Sequence, residues 1–426
     1  MKRRLAAAAV SIWLIFGVAL AVRAAYAWSQ ARTIPPKDLA AASFAQETGN
    51  IAQALATGRG FSDPFRQQTG PTAWLAPFYP LLLAGIFRLF GIFSLASFWV
   101  AASVNMLASA AACVPLYFAG KRIGGVGLGV VAAWLWAIFP NGAIVPFYWI
   151  WGTSLAALFA AAILWATLAL DGSDRRRDWI GYGLLWGVAL LNSPAIGSLG
   201  PFLFGWLAWR RKRRGMAWFG KPALAVVVVV LCLAPWTVRN YARFHRLVPL
   251  RSDFPFELWM GNNPVWNPRG RNPMAAVTRY GQVREYVEMG ETAFLRKKWR
   301  EATAFIRGHK RLEVWLTKRR IVALWMGSAD PILAFRGTSS PFIRFLLVVN
   351  ALAALGAIAG ILVLGWRRSA YAFPAATFPI VYPCVYYATI TSLRYLYPIE
   401  PVLMLLGAAG VAGIFRRKAA AADVVA

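Results

Sequence analysis

The chain has 426 residues, of which 59% are hydrophobic and only 15% are charged. This composition excludes a soluble protein, because a soluble chain of this length needs about a quarter of its residues charged. The formal net charge of +30 does not indicate nucleic-acid binding, since lysine and arginine accumulate in the cytoplasmic loops of membrane proteins and beside anionic headgroups.

Apolar runs close to the ~20 residues that cross a bilayer predict transmembrane helices. The first run covers residues 6–28 after Lys2-Arg3-Arg4. It is too long for the core of a signal peptide, and we interpret it as an uncleaved first helix. The other spans are predicted at residues 97–119, 123–141, 153–170, 179–193, 196–209, 219–236, 342–365, 370–390 and 395–414.

Basic clusters in the short connections predict the topology, because such clusters stay in the cytoplasm. Besides the N-terminal cluster they lie at residues 121–122, 175–177, 210–214, 367–368 and 416–418. Placing all of them inside puts both termini in the cytoplasm. We expect the protein to lie in the inner (plasma) membrane. If residues 75–90 crossed the membrane, the cluster at residues 121–122 would fall outside. Arg88 also interrupts this apolar stretch. We therefore predict an interfacial or re-entrant helix there.

The predicted topology divides the chain into segments and gives the fold class. The segments are residues 1–28, the first transmembrane helix; 29–97, the first loop, with interfacial helices; 97–237, transmembrane helices 2–7; 238–340, the second loop, with amphipathic helices; 341–415, transmembrane helices 8–10; and 416–426, a cytoplasmic tail. Both loops are predicted to face outward. The fold class is an all-α polytopic membrane protein of about ten transmembrane helices.

Cysteine and histidine usage does not indicate a resident cofactor. The cysteines Cys113, Cys232 and Cys384 lie in apolar runs without metal-ligand spacing, and the histidines are only His245 and His309. No cofactor is expected with certainty, and a divalent cation is left open.

Most acidic residues have a simple structural explanation. Several in the second loop alternate with basic residues, so that pairing on a helix surface explains them; these are Glu285, Glu288, Glu291, Glu301 and Glu313. The acidic residues without such an explanation are Glu47, Asp63, Asp253, Glu257, Asp330 and Glu400.

Several short motifs follow one another in an informative order. Glu47 precedes an apolar helical face and Gly58 and Gly60, and Pro77-Phe78-Tyr79-Pro80 begins the interfacial helix. Later motifs are the Lys121-Arg122 turn, the Asn192-Ser193-Pro194 break, the segment Ala234-Pro235-Trp236-Thr237-Val238-Arg239-Asn240 and the pair Arg394-Tyr395. In this order they resemble the GT-C superfamily of membrane glycosyltransferases, which includes protein O-mannosyltransferases and the aminoarabinose transferase of lipid A.

The resemblance implies a GT-C-like fold and an inverting sugar transfer at the outer face. The donor would be a sugar on a polyprenyl phosphate, and the acceptor a hydroxyl of a lipid, a glycan or a protein, with membrane lipids as further partners and no nucleic acid. Glu47 matches the acidic residue of the first loop that is assigned as general base, or as the group that orients a metal or the acceptor. Arginine suits a lipid phosphate through its planar fork, so Arg394, Arg239 and Arg251, which lie at or just beyond the outer ends of helices, are candidates for binding it. Further candidates for the substrate site are Asp63, Asp253 and Glu400.

One position departs from the pattern of the superfamily. Many relatives carry a second acidic residue just before the fourth transmembrane helix, whereas this sequence has Gly152 near that place. Asp63 or Asp253 could substitute, metal dependence could be lost, or the chain could be a catalytically inactive homologue.

Each candidate residue also has a purely structural explanation. Glu47 could cap the helix that follows, and Asp63 could stabilise a turn. Arg394 and Arg239 could anchor helix ends among the headgroups. Glu400, in the last helix, is costly unless it is paired or hydrated, and we expect it to face the central cavity.

Other functions are kept as alternatives to the enzyme. A lipid or polysaccharide transporter or flippase would need charges along a crossing path, which only Glu400 and the Asn192 break suggest. An O-antigen-ligase-like enzyme and a non-catalytic scaffold are the others. The aromatic residues Trp134, Trp136, Tyr148, Trp149 and Trp151 indicate an interfacial belt, with stacking on a sugar or prenyl chain as the alternative.

Overall fold

The computed structural model describes residues 11–34, 44, 47–65, 67–264 and 281–425, the side chain of Leu393 and those beyond Gly413 excepted. The basic residues Lys2-Arg3-Arg4 and the side chains of residues 416–418, on which the predicted topology partly depends, lie outside this part. The described chain is α-helical, with one isolated β-bridge between Ser62 and Pro71.

The α-helices of the described residues are numbered in chain order. They are α1 (Ile12–Ala31), α2 (Glu47–Ala56), α3 (Phe78–Phe90), α4 (Leu95–Ala111), α5 (Cys113–Gly124), α6 (Val126–Ile138), α7 (Pro140–Tyr148), α8 (Thr153–Leu170), α9 (Arg176–Asn192), α10 (Gly200–Arg213), α11 (Gly220–Phe244), α12 (Phe254–Gly261), α13 (Gly281–Met289), α14 (Glu291–Gly308), α15 (Lys310–Met326), α16 (Pro331–Gly337), α17 (Pro341–Trp366), α18 (Ala372–Val381), α19 (Cys384–Ala388), α20 (Leu393–Leu396) and α21 (Glu400–Val425).

Six helices in the described part are long and apolar enough to cross a membrane. They are α1, α4 continued by α5, α8, α11, α17 and the segment Arg394–Gly413. The pair α6 and α7, bent by 46°, would make a seventh span. The helix α3, in the segment predicted to stay at the interface, is not among them.

The predicted number of about ten spans is not confirmed, for a physical reason. Three predicted spans fold into short or charged helices. The helix α9 has 17 residues and begins with Arg176 and Arg177, α10 has 14 residues and ends in four basic ones, and α18 has 10 residues. A helix rises about 1.5 Å per residue, so none of them covers the ~30 Å of hydrocarbon alone. The predicted break at Asn192-Ser193-Pro194 is present, where α9 ends and a 3₁₀ turn begins.

Arg23 of α1 stabilises the bend between α6 and α7. Pro140 begins α7 and has no N–H to donate back to the carbonyl of Trp136. The fully buried Arg23 instead donates to the carbonyls of Trp136 (3.3 Å) and Ala137 (2.9 Å) and to the hydroxyl of Ser109 (2.9 Å). A buried arginine thus supplies donors that the interrupted helix lacks, which is how irregular backbone is tolerated within a membrane.

Basic residues concentrate at one end of the bundle, called here the basic end. Asp171, just after α8, pairs with Arg210 (2.7 Å) and Arg214 (2.9 Å), and Arg211 pairs with Asp174 (2.8 Å). The helix α8 ends there and begins at the opposite end, called the loop end, where the first and second loops lie.

The helices α17 and α21 pack side by side through glycine. A Cβ at Gly360 would overlap the backbone carbonyl of Leu406, and Gly410 contacts Gly360. Small residues let two membrane helices approach closely and gain van der Waals contact. Within an apolar window of 18 residues, the segment Arg394–Gly413 has the largest buried share of these spans, 83%, against 22% for α17 and 11% for α11. The last helix therefore forms the centre of the bundle, and α11 and α17 face the lipid.

We predict that Gly360→Ala separates α17 from α21 and lowers stability by about 1–3 kcal/mol, the usual cost of overpacking. Gly365→Ala in the same helix is the matched control, because a Cβ there meets nothing within 4 Å. Thermal unfolding in detergent should show a lower melting temperature than wild type for Gly360→Ala and an unchanged melting temperature for Gly365→Ala. Equal melting temperatures for the two variants would contradict this packing.

Candidate functional site

A cavity with about 1210 Å³ of empty space lies at the loop end. Both loops, the start of α8, the end of α9 and the segment before α21 contribute its walls. Its charged lining residues are Glu47, Arg251, Asp253, Glu257 and Arg394. The fold therefore brings together four of the predicted site residues from three distant segments of the sequence, and adds Glu257.

Arg394 lies against two aromatic rings. Its guanidinium carbon lies 4.3 Å from the ring centroid of Trp151 and 5.1 Å from that of Tyr395. Its hydrogen bond is a long one, from Nη2 to the hydroxyl of Tyr395 (3.4 Å), and no carboxylate of the described residues forms an ion pair with it. Stacking fixes the orientation of the guanidinium and leaves most of its donors available to a ligand.

Arg251 shares the cavity wall with Asp253. Its Nε lies 3.0 Å from Asp253 Oδ1, at an angle too poor for a hydrogen bond. Burial raises the pKa of the Asp253 carboxyl, Arg251 opposes the rise, and Glu257 adds to it. The guanidinium of Arg251 donates no hydrogen bond to the described residues, so its N–H groups are available to a ligand.

Glu47 begins α2 and is half-buried at the cavity. Burial raises the pKa of its carboxyl above the usual value, while its own backbone N–H and the charge of Arg394 oppose the rise. A carboxylate with a raised pKa is a stronger base than an exposed one. Glu47 and Arg394 thus lie near enough for electrostatic interaction without a direct ion pair.

Aromatic side chains form the rest of the wall near Arg394. Tyr386 and Tyr395 stack with 4.7 Å between their centroids and 12° between their planes, and Tyr382 lines the cavity beside them. Trp151, one of the aromatic residues predicted to lie in an interfacial belt, also lines the cavity.

Arg239 does not line the cavity. It donates to the backbone carbonyls of Thr72 (2.6 Å) and Phe61 (2.7 Å) in the first loop. Its guanidinium also lies 5.0 Å from the ring centroid of Trp236. The structure therefore places Arg239 where it connects the end of α11 to the first loop.

Asp63 and Glu400 also lie away from the cavity lining. Asp63, at a φ of 56°, pairs with Arg59 (2.6 Å) and accepts from the backbone N–H groups of Thr69 (2.8 Å) and Gly70 (2.9 Å). It organises the turn of its own loop, as its structural explanation predicts. Glu400 is buried inside the bundle rather than facing the cavity at the loop end, and accepts from the side-chain amide of Asn141 at 2.7 Å.

Glu291 is a residue that reasoning from the sequence missed. Pairing on a helix surface does not describe it, because the side chain is 6% exposed. Its carboxylate accepts from the hydroxyls of Thr72 (2.5 Å), Ser252 (2.6 Å) and Tyr286 (2.7 Å) and from the backbone N–H of Ala73 (3.0 Å). These donors come from the first loop and from two parts of the second. Glu291 therefore connects the segment that carries Arg251 and Asp253 to the first loop and to α13. A glutamate among basic residues gives no sign of this in the sequence.

Asn192 occupies the space beside Gly152. The side-chain amide of Asn192 donates to the Gly152 carbonyl at 2.8 Å, and a Cβ on Gly152 would overlap the Asn192 side-chain oxygen. That oxygen has no hydrogen-bond partner among the described residues. Position 152 is therefore closed to any larger side chain unless Asn192 moves, which gives a physical reason for a glycine there.

The described residues contain no group of three or more His, Cys, Asp or Glu side chains placed to hold a metal ion. The cavity carboxylates Glu47, Asp253 and Glu257 do not converge on one point, and Asp253 lies against Arg251. No step through a metal is derived from this arrangement.

The fold of the described chain is that of a solved membrane enzyme. The oligosaccharyltransferase of Archaeoglobus fulgidus, in complex with Zn and sulfate, superposes with a TM-score of 0.54 at 13% identity over 95% of this chain and 49% of that chain. Its apo form gives a TM-score of 0.52 at 14% identity, over 97% of this chain and 51% of that chain. The present chain thus spans about half the length of that enzyme.

The sequence also matches a family model over part of its length. The model of the dolichyl-phosphate-mannose-protein mannosyltransferase family matches residues 74–238. The structure of ArnT from Cupriavidus metallidurans bound to undecaprenyl phosphate has a TM-score of 0.41 at 15% identity, over 97% of this chain and 79% of that chain. No curated protein matches the sequence. The predicted resemblance to the GT-C superfamily of membrane glycosyltransferases is confirmed, as is the all-α membrane fold class.

We predict that Gly152 and Asn192 behave as one unit. Gly152→Ala should displace the Asn192 amide and cost about 1 kcal/mol of stability through the lost hydrogen bond. In an Asn192→Ala background the same change should cost almost nothing, because the space is then empty. Thermal unfolding of the two single variants and the double variant measures this coupling; strictly additive losses would contradict it.

Proposed function

We propose that the protein is a membrane glycosyltransferase that transfers a sugar from a polyprenyl-phosphate donor to an acceptor hydroxyl at the outer face of the membrane. The observation that carries the proposal is a single cavity lined both by two arginines with available donors and by Glu47. The acceptor is a hydroxyl of a lipid, a glycan or a protein.

The arginines suit the phosphate of the donor. Arg394 lies over the ring of Trp151, and Arg251, although 3.0 Å from Asp253, donates no hydrogen bond to the described residues. A phosphodiester carries one negative charge and accepts hydrogen bonds from the planar guanidinium fork. The matching family is named for a dolichyl-phosphate donor, which is a donor of this chemical class.

Glu47 suits the role of general base. Its carboxylate would take the proton of the acceptor hydroxyl as the hydroxyl oxygen forms a bond to the anomeric carbon of the sugar. The bond from that carbon to the phosphate oxygen breaks, and its electron pair passes to the phosphate, where Arg251 and Arg394 stabilise the added charge. Attack from the face opposite the leaving phosphate inverts the configuration of the sugar.

The charge distribution supports an outer position for the site. The cavity lies at the loop end, and the clusters around Arg122, Arg175 and Arg210 lie at the basic end. Basic residues in short connections mark the cytoplasmic side, so the loop end is assigned to the outside and the termini to the cytoplasm. The basic charge of the second loop does not oppose this, because long loops cross largely regardless of charge.

We predict that Glu47→Gln abolishes the transfer while leaving the protein folded. A deletion strain should lose one sugar modification of an envelope glycan or glycolipid, the wild-type gene should restore it, and Glu47→Gln expressed at an equal level should not. Glu288→Gln is the matched control, because Glu288 is exposed and pairs only with Arg284. Mass spectrometry of lipid and glycan extracts gives the readout. Full restoration by Glu47→Gln would remove Glu47 as the base.

A further inference from the structure

A third carboxylate in the cavity, that of Glu257, has no part in the steps above. It lies in the first turn of α12, four residues after Asp253. The other end of α12 is fixed, because Arg320 donates to the Gly261 carbonyl (2.5 Å) and Asn262 donates to the Ala388 carbonyl (2.8 Å). The helix is therefore a rigid support for Glu257.

The carboxylate of Glu257 has no hydrogen bond and no ion pair with the described residues, although the residue is half-buried at the cavity. The other carboxylates of the second loop are different. Glu291 has four donors, Glu285 pairs with two lysines, and Glu313 pairs with Arg320 at 2.9 Å. Glu257 lines the cavity and no described protein group donates to its carboxylate, so the carboxylate is available to a ligand that supplies hydrogen-bond donors.

The surroundings limit what that ligand is. Burial raises the pKa of the Glu257 carboxyl, Arg251 and Arg394 oppose the rise, and Glu47 adds to it. Glu257 therefore lies within electrostatic reach of both arginines proposed for the phosphate. A phosphate oxygen would be repelled by Glu257. The hydroxyl groups of a sugar attached to that phosphate are neutral hydrogen-bond donors and would lie next to it.

We propose that Glu257 binds hydroxyl groups of the donor sugar and so helps to select it. This inference rests on the proposed function. Arg251 and Arg394 hold the phosphate, Glu257 accepts from the attached sugar, and Glu47 is left for the acceptor. A site built to hydrogen-bond a hydroxyl rejects analogues that lack it, because its buried polar group is then unpaired.

The test compares a bare lipid phosphate with its glycosylated forms. Undecaprenyl phosphate and a panel of undecaprenyl-phosphate monosaccharides are titrated against the full chain in detergent, and Kd is measured by native mass spectrometry. Wild type should bind one glycosylated form more tightly than bare undecaprenyl phosphate. Glu257→Gln should weaken that form about tenfold or more, the effect of losing charge-assisted hydrogen bonds, and leave the Kd of the bare lipid phosphate almost unchanged. Glu288→Gln should change neither.

Several results would overturn the inference. An unchanged Kd for the glycosylated form in Glu257→Gln would show that Glu257 does not bind the sugar. Equal weakening of both ligands would mean that Glu257 only positions the arginines. If wild type binds neither lipid, the proposed function itself fails, and the inference with it. Thermal unfolding of Glu257→Gln checks that the variant is folded.

Discussion

The geometry of the cavity depends on the hydrogen bonds that the carboxylate of Glu291 accepts. Its four donors come from the first loop, from Ser252 beside Arg251, and from Tyr286 at the end of α13. A buried carboxylate is stable only where such donors surround it, so the segments that supply them have to meet at one place. Arg239 strengthens the same junction through the carbonyls of Phe61 and Thr72. With the loops joined in this way, Arg251 and Asp253 line the same cavity as Arg394.

The cavity holds charges of both signs, and among its described charged residues only Arg251 and Asp253 form an ion pair. Arg394 lies against aromatic rings instead of a carboxylate. A direct ion pair between Glu47 and Arg394 would occupy both the proposed base and one of the arginines proposed to bind the phosphate. Keeping them apart in a partly buried site leaves each available to a substrate, and preorganised charges of this kind stabilise a transition state without further reorganisation.

The sequence predicted the all-α membrane fold and singled out Glu47, Arg251, Asp253 and Arg394, which the fold places in one cavity. Their roles stay predictions. It did not predict the number of candidate spans, because helices such as α9 carry charges and stop at the break after Asn192. Nor did it find Arg23 or Glu291, whose partners are backbone groups and hydroxyls remote in sequence. Polar residues of that kind look like surface or anchoring residues until the tertiary contacts are known.

The most direct measurement is an experimental structure of the protein with undecaprenyl phosphate bound. The account predicts that the phosphate lies in the cavity at the loop end, with its oxygens within hydrogen-bonding distance of the guanidinium groups of Arg251 and Arg394. Glu47 should remain free of the phosphate and open to an acceptor. A phosphate bound at the basic end, or in the cavity but away from both arginines, would contradict the account.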